Sequence, residues 1–133
     1  AVVSFHGLLQ TGEDGSPAIF GVERPSVKPC KNSYNRKTIV LIENGKDDHL
    51  VSDESKRRFY AEMDDAGVDW IFHDYAKTPH GFALPGTLGP PGNLHENADR
   101  RSTMSMLSLF REVFPGVSQN RVTHNAAGTK IPL

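Results

Sequence analysis

The sequence predicts an α/β protein with a small, mainly parallel sheet of about three strands flanked by helices. Two observations carry this prediction. Residues 39–42 form a continuous run of apolar, mostly β-branched side chains that ends at Asn44-Gly45, a pattern typical of a strand buried on both faces. Apolar patterns also follow one another in the order strand, crossover, strand, helix, strand, helix, which implies parallel strands joined by right-handed connections.

The first strand is expected at residues 1–5, a short apolar run that ends at His6-Gly7. Residues 8–37 are rich in glycine, proline, serine and charge, so they are interpreted as an irregular crossover between two parallel strands. Such a connection needs at least about a dozen residues. The central strand is expected at residues 38–43, directly after the crossover.

Ser52 is the expected N-cap of a first helix, because the acidic residues that follow it suit the positive end of the helix dipole. Gly67 is expected to end this helix. The helix pattern places an apolar stripe on one side and charged side chains in solvent. The stripe is Phe59, Met63 and Ala66, and the solvent side is Lys56, Arg57, Glu62 and Asp65.

The remaining elements follow from similar patterns. Residues 68–75 alternate imperfectly, which favours a strand near the sheet edge, and residues 83–96 are a loop rich in glycine and proline. Asn97 is expected to cap a last helix that runs to about Phe114, with Met106 or Leu107, Phe110, and Val113 or Phe114 on its inner side. Residues 1–116 are therefore predicted to form the domain, and residues 117–133 a polar C-terminal tail or partner-contacting arm.

Composition excludes several function classes. The chain has 133 residues, 37% hydrophobic and 23% charged, which is ordinary for one globular domain. Its net charge is −1 and no basic run exceeds residues 56–58, so neither a nucleic-acid nor a membrane partner is expected. No apolar run approaches the length of a membrane span. A single cysteine, Cys30, allows no internal disulfide and fits a cytoplasmic protein.

A carboxylate and a histidine stand at positions that suit catalysis. Asp48 follows the central strand, and His80 lies on a Pro/Gly loop 80 − 48 = 32 residues later, after one helix and one strand. Parallel sheets carry their chemistry at the carboxyl ends of their strands, and this order of acid and histidine is that of an α/β-hydrolase triad. The spacing also fits an aspartate that only caps a turn and an ordinary loop histidine. Asp47 is the alternative acid.

Two motifs carry a family resemblance. Gly45-x-x-Asp48-x-x-Val51-Ser52, followed by a helix, a strand and His80-Gly81-Phe82-Ala83, resembles the C-terminal part of the dienelactone hydrolase family, in the α/β-hydrolase superfamily. Val3-Ser4-Phe5-His6-Gly7 is similar to that family's strand after the nucleophile helix. The resemblance covers about residues 1–116. It implies hydrolysis of small carboxylic esters or lactones with no metal or organic cofactor, with His80 as general base and Asp48 as the acid that orients it.

The nucleophile of this family stands on a Gly-x-Cys-x-Gly or Gly-x-Ser-x-Gly turn, and neither pattern occurs in these 133 residues. The resemblance therefore implies that the nucleophile lies upstream of Ala1. The strand at residues 1–5 would then leave an open sheet edge that pairs with the missing N-terminal part or drives self-association. The alternative hypothesis is a non-catalytic, hydrolase-derived fragment that serves as a protein-interaction or self-associating module.

Phe82 and His49 are further candidates, as residues of the substrate pocket. A metal site that combines His49, His73 and His80 with a neighbouring aspartate is not favoured, because no His-x-x-x-His or Cys-x-x-Cys spacing is present. We therefore expect no metal ion.

Two other reactive side chains are assigned no catalytic role. Cys30 lies in Pro29-Cys30-Lys31, which is not a strand-to-helix turn, so it is interpreted as an ordinary loop thiol. His6-Gly7 resembles the start of some oxyanion-hole motifs, but it would lie on the wrong side of the nucleophile for that role. His6 is therefore interpreted as part of a strand end.

Overall fold

The computed structural model describes residues 1–9, 34–89 and 92–116, together with the backbone of residues 123–124 and 130–131. The crossover interpreted at residues 8–37, including Cys30, lies mostly outside the described residues. The described elements are β1 (Val2–Phe5), β2 (Ile39–Gly45), α1 (Asp53–Ala66), β3 (Asp69–Tyr75), α2 (Glu96–Val113), β4 (Thr123–His124) and β5 (Lys130–Ile131).

The first three strands form a parallel sheet in the order β1-β2-β3. Val40 of β2 is level with Val2 on one side and with Trp70 on the other. β2 lies in the centre, and its residues 41–45 are all buried, as expected for a strand covered on both faces. The predicted α/β class with three parallel strands is confirmed, and β3 lies at a sheet edge.

Side chains of β2 alternate between the two faces of the sheet, and each face is covered by one helix. On the α1 side, a core of Met63, Ala66 and Val68 packs against partly buried apolar side chains that include Val40 and Phe59. The opposite face carries Leu41 and Glu43, both fully buried, and lies beneath α2.

Both ends of α1 form as predicted. The Ser52 hydroxyl accepts a hydrogen bond of 3.1 Å from the Ser55 N–H, and Asp53 and Glu54 occupy the first turn. Gly67 ends the helix in the left-handed conformation, with φ of 63°, and its N–H returns to the Asp64 carbonyl. Residues close in sequence thus fix where this helix begins and ends.

The solvent position predicted for Lys56 is wrong. The side chain is buried, and its ammonium lies 3.0 Å from each carboxylate oxygen of Asp74 on β3. Asn44 of β2 donates to the same carboxylate at 2.6 Å. Position 56 belongs to the inward stripe of α1 because it lies seven residues before Met63, and the ion pair makes burial of a charge there tolerable.

Helix α2 begins earlier than predicted. Its N-cap is His95 and not Asn97, because the His95 ring nitrogen accepts a hydrogen bond of 3.2 Å from the Ala98 N–H. The buried positions are Ala98, Ser102 and Leu109, and Phe114 remains 51% exposed. The expected inner stripe of large apolar residues therefore lies beside the observed one, with small side chains forming part of the contact.

Residues 123–124 and 130–131 pair as a short antiparallel ribbon within the segment interpreted as a polar tail. The sequence there lacks the periodicity that would have indicated strands. Within the described part of the chain, no helix is long and apolar enough to cross a membrane.

Candidate active site

The loop after β2 holds Asp48 through its own backbone. The Asp48 N–H donates to the Gly45 carbonyl at 3.1 Å, and the Asp48 carbonyl accepts from the Val51 N–H at the same distance. The Leu50 N–H donates to Asp48 Oδ1 at 2.9 Å. The carboxylate is 0% exposed. The hydrogen bonds of this turn fix its position independently of its contact with His80.

The second carboxylate oxygen of Asp48 contacts His80. His80 Nδ1 lies 2.8 Å from Asp48 Oδ2, and the imidazole keeps 25% of its surface exposed. The backbone of His80 is held separately, because its carbonyl accepts a hydrogen bond of 2.8 Å from the Asn93 side chain. A proton on Nδ1 that is donated to Asp48 leaves Nε2 as the acceptor nitrogen, which is the form a general base requires.

Both sequence interpretations of Asp48 are therefore seen in the geometry. One carboxylate oxygen caps the turn at Leu50, and the other binds His80. Asp47, the alternative acid, has an exposed side chain. Its backbone N–H bonds to the histidine loop, which follows β3 and carries His80. The structure brings Asp48 to His80.

Backbone hydrogen bonds join the acid loop, which follows β2 and carries Asp48, to the end of β3 and to the histidine loop that follows it and carries His80. Lys46 donates to the Tyr75 carbonyl at 2.9 Å, and Asp47 donates to the Thr78 carbonyl at 3.0 Å. The approach is closest at Gly45, where a Cβ atom would lie 2.3 Å from the Thr78 oxygen and 2.7 Å from the Pro79 oxygen. Glycine is required at this position because any side chain would push the two loops apart.

We expect Gly45→Ala to destabilise the protein by about 1–3 kcal/mol, since the new methyl group meets backbone that cannot rotate away. Gly86→Ala is the matched control, because a Cβ atom at Gly86 meets nothing within 4 Å. Its effect should stay within about 0.5 kcal/mol. Urea unfolding followed by circular dichroism measures both changes, and equal effects would contradict the role given to Gly45.

His6 lies beside the pair, although the sequence indicated only a strand end. Its N–H donates to the Glu43 carbonyl at 2.8 Å, and its φ is 40°. Its ring centroid lies 5.1 Å from that of His80 and 6.0 Å from that of Phe82, both in edge-on contact. Burial, followed by the nearby His80 charge, lowers the pKa of His6 from its usual value of 6.5.

This lowered pKa predicts a pH dependence of stability. The unfolded chain binds a proton at His6 more readily than the folded chain, so the free energy of unfolding falls as pH drops through 6.5 toward the folded pKa. We expect His6→Phe to reduce this loss, because phenylalanine keeps a ring and does not titrate. Urea unfolding of both proteins at pH 7.5 and pH 5.5 tests this, and identical losses would contradict the assignment.

The two pocket candidates differ in position. Phe82 is fully buried, with its ring 5.7 Å from that of Tyr75, whereas His49 is exposed on the acid loop. Phe82 thus supports the ring of His6 from the interior. That either residue contacts substrate remains a prediction.

A second carboxylate–histidine contact lies on the α2 side of the sheet. Glu43 is fully buried, accepts from the Tyr75 hydroxyl at 2.7 Å, and lies 3.2 Å from His73 Nδ1. Burial and this hydrogen bond raise the pKa of Tyr75. Ser105 Oγ lies 3.3 Å from the same nitrogen of His73. A proton relay needs the acid and the hydroxyl on opposite ring nitrogens, so this cluster is structural.

Among the described residues, no group of three histidine, cysteine or acidic side chains is placed to hold a metal ion. Beyond the carboxyl ends of β1, β2 and β3, the titratable groups instead include the pair of Asp48 and His80, with His6 in ring contact with His80.

Comparison with known proteins shows which family the chain resembles. Residues 1–114 match the dienelactone hydrolase family. A similar solved structure is the crystal structure of a dienelactone hydrolase-like promiscuous phosphotriesterase from metagenomic libraries, with 35% sequence identity and a TM-score of 0.50. The match covers 56% of this chain and 32% of that one, so it spans about a third of the solved protein. A search of curated proteins found no match.

Proposed function

Because the chain belongs to the dienelactone hydrolase family, we propose that it supplies the acid and the histidine of a hydrolase that acts on small carboxylic esters or lactones. The observation that carries this proposal is the contact of 2.8 Å between His80 Nδ1 and the fully buried Asp48 carboxylate. A carboxylate that is already fixed by the Leu50 N–H favours the tautomer of the imidazole that carries its proton on Nδ1.

In the proposed acylation step, His80 Nε2 takes the proton of a cysteine thiol or serine hydroxyl while the sulfur or oxygen attacks the carbonyl carbon of the ester. The carbonyl electron pair moves to oxygen, and Asp48 stabilises the imidazolium that forms. When the intermediate collapses, the C–O bond breaks and the leaving oxygen takes the proton from His80. In a lactone this oxygen stays tethered to the acyl group.

In the proposed deacylation step, His80 removes a proton from water as the water oxygen attacks the acyl carbon. The bond to the nucleophile breaks, and the nucleophile regains its proton from the imidazolium. The products are a carboxylic acid and the regenerated enzyme. In these steps His80 therefore performs every proton transfer, Asp48 orients and stabilises its imidazole, and no metal or organic cofactor is needed.

We further propose that the nucleophile is carried by a segment that pairs with β1. Among the described strands, β1 pairs only with β2 and stands at a sheet edge. An unpaired edge with apolar flanking residues favours the addition of another strand. The segment belongs either to the same longer polypeptide, upstream of Ala1, or to a second chain, and a second copy of this chain is the alternative occupant.

Native mass spectrometry tests the pairing proposal. A 14.7 kDa chain that travels with a second polypeptide bearing Gly-x-Cys-x-Gly or Gly-x-Ser-x-Gly would support the proposal for this protein. A mass of twice that value would favour self-association. A chain that stays monomeric at high concentration would contradict an edge that recruits a partner, and would leave only covalent attachment to an upstream segment.

Phosphotriester hydrolysis is a second candidate, favoured by the name of the solved neighbour, which is 35% identical over the matched region. The same histidine would activate a nucleophile toward phosphorus in place of carbon. One assay series separates the candidates: p-nitrophenyl acetate, δ-valerolactone and p-nitrophenyl diethyl phosphate, each given to the longer polypeptide and to the 133-residue chain alone. We expect turnover only with the longer polypeptide. Absence of turnover on all three, or equal rates with the short chain, would overturn the proposal.

A further inference from the structure

We infer that His6 is a positioning residue for His80: its ring, anchored at the end of β1, holds the imidazole of His80 against Asp48 with Nε2 free to accept a proton. The inference rests on the proposed function, since it gives His6 its role through the general base. It assigns a third side chain to the site, from a strand that carries neither the acid nor the base.

The position of the His6 ring is set by its own backbone. The N–H of His6 continues the parallel ladder beyond β1 by donating to the Glu43 carbonyl at 2.8 Å. The φ of 40° then turns the chain out of the strand. A non-glycine residue rarely adopts this conformation, and such outliers concentrate at functional sites. The backbone therefore holds the ring at the carboxyl edge of the sheet.

The orientation of the His80 ring depends on ring contacts as well as on its hydrogen bond. His80 is held at one atom by Asp48, with Nδ1 to Oδ2 at 2.8 Å, and a single hydrogen bond does not fix the tilt of an imidazole. The His6 ring meets that of His80 at 73° and with centroids 5.1 Å apart. Behind His6, the fully buried Phe82 supports the ring at 6.0 Å. The imidazole is thus held by a hydrogen bond and by a supported ring.

The charge of His6 matters as well as the position of its ring. A cationic His6 would oppose the imidazolium that forms on His80 during catalysis. Burial lowers the pKa of His6 most; of the titratable groups that act on it among the described residues, His80 lowers it further and Asp48 raises it. At a pH above this lowered pKa, His6 is neutral and does not oppose the charge that forms on His80. An uncharged aromatic ring of similar size should orient the His80 imidazole in the same way.

Two substitutions distinguish the packing of the His6 ring from the titration of its nitrogens. His6→Phe keeps an aromatic ring and cannot be protonated. His6→Asn removes the ring and suits the left-handed backbone, since asparagine tolerates positive φ. Far-UV circular dichroism of each variant verifies that the sheet remains folded.

The structural readout is the tautomer of His80 in the 133-residue chain, measured by side-chain ¹⁵N NMR shifts. We expect the Nδ1-protonated form to dominate in the wild type and in His6→Phe, and a mixture of tautomers in His6→Asn. An unchanged tautomer population in His6→Asn would overturn the inference. Because this readout needs no turnover, it stands even where the proposed hydrolase activity fails.

The kinetic readout uses the longer polypeptide with p-nitrophenyl acetate. His6→Asn is expected to lower kcat by about 10-fold to 100-fold with little change in KM, because a general base displaced by a fraction of an ångström loses its alignment. His6→Phe should recover most of kcat. Unchanged kcat in His6→Asn, or an equal loss in His6→Phe, would overturn the inference. A failed proposed function is recognised separately, by unchanged turnover in a variant of His80.

Discussion

Replacing His80 with glutamine is expected to lower ester turnover, in the protein joined to the proposed nucleophile segment, by about 10²-fold to 10⁴-fold, the range that a positioned general base supplies. Glutamine retains a polar side chain of similar reach but does not take up a proton at neutral pH. KM should change little, because the lost interaction is made in the transition state. Steady-state hydrolysis of p-nitrophenyl acetate measures both constants.

The matched control is His73→Gln. His73 resembles His80 in that its Nδ1 approaches a buried carboxylate, at 3.2 Å from Glu43. It lies within β3, however, and on neither of the two loops that carry Asp48 and His80. Its substitution should leave kcat within about threefold of the wild type. Equal losses in the two variants would show that any carboxylate-bound histidine affects turnover through stability, and would remove His80 from the mechanism.

Asp48→Asn is expected to have the second large effect, a fall in kcat on the order of 10³-fold to 10⁴-fold. The amide of asparagine can still accept the Leu50 N–H through its oxygen, so the turn should persist. Its NH₂ group would then face His80 Nδ1 and favour protonation of the other ring nitrogen. His80 would then carry its proton on Nε2 and could not accept a proton there.

Asp47→Asn controls for charge, because it removes the same carboxylate one position earlier. The Asp47 side chain is exposed, and only its backbone N–H bonds to the histidine loop, at 3.0 Å to the Thr78 oxygen. Its kcat should remain within about twofold. A larger loss in Asp47→Asn than in Asp48→Asn would reverse the assignment of the acid.

Local patterns predicted much of this fold. Ser52 begins α1 and Gly67 ends it, each through hydrogen bonds to residues at most four positions away. The sequence near each end is therefore enough to predict where the helix begins and ends. The central strand was equally clear, because a run of apolar residues at 39–42 is covered on both faces. The acid and the histidine required more. Their spacing left a turn cap and an ordinary loop histidine open, and the family resemblance selected the pair.

What the sequence did not predict depends on partners distant along the chain. Lys56 is buried because Asp74, eighteen residues later, lies opposite it. His6 contacts His80 across 80 − 6 = 74 residues, and only the parallel order of β1, β2 and β3 brings the two rings together. The cap of α2 was missed because a histidine nitrogen replaced the usual short oxygen-bearing side chain at His95.

The hydrogen bonds from Lys46 to the end of β3 and from Asp47 to the histidine loop make two amide protons reporters of the site. Neither proton takes part in chemistry, yet each exchanges with solvent deuterium only when the loops separate. Separation of the loops also takes His80 away from Asp48, so the two amides and the pair should open in one local event. The free energy of that opening, read from deuterium exchange, sets how large a fraction of molecules carries an assembled pair at any moment.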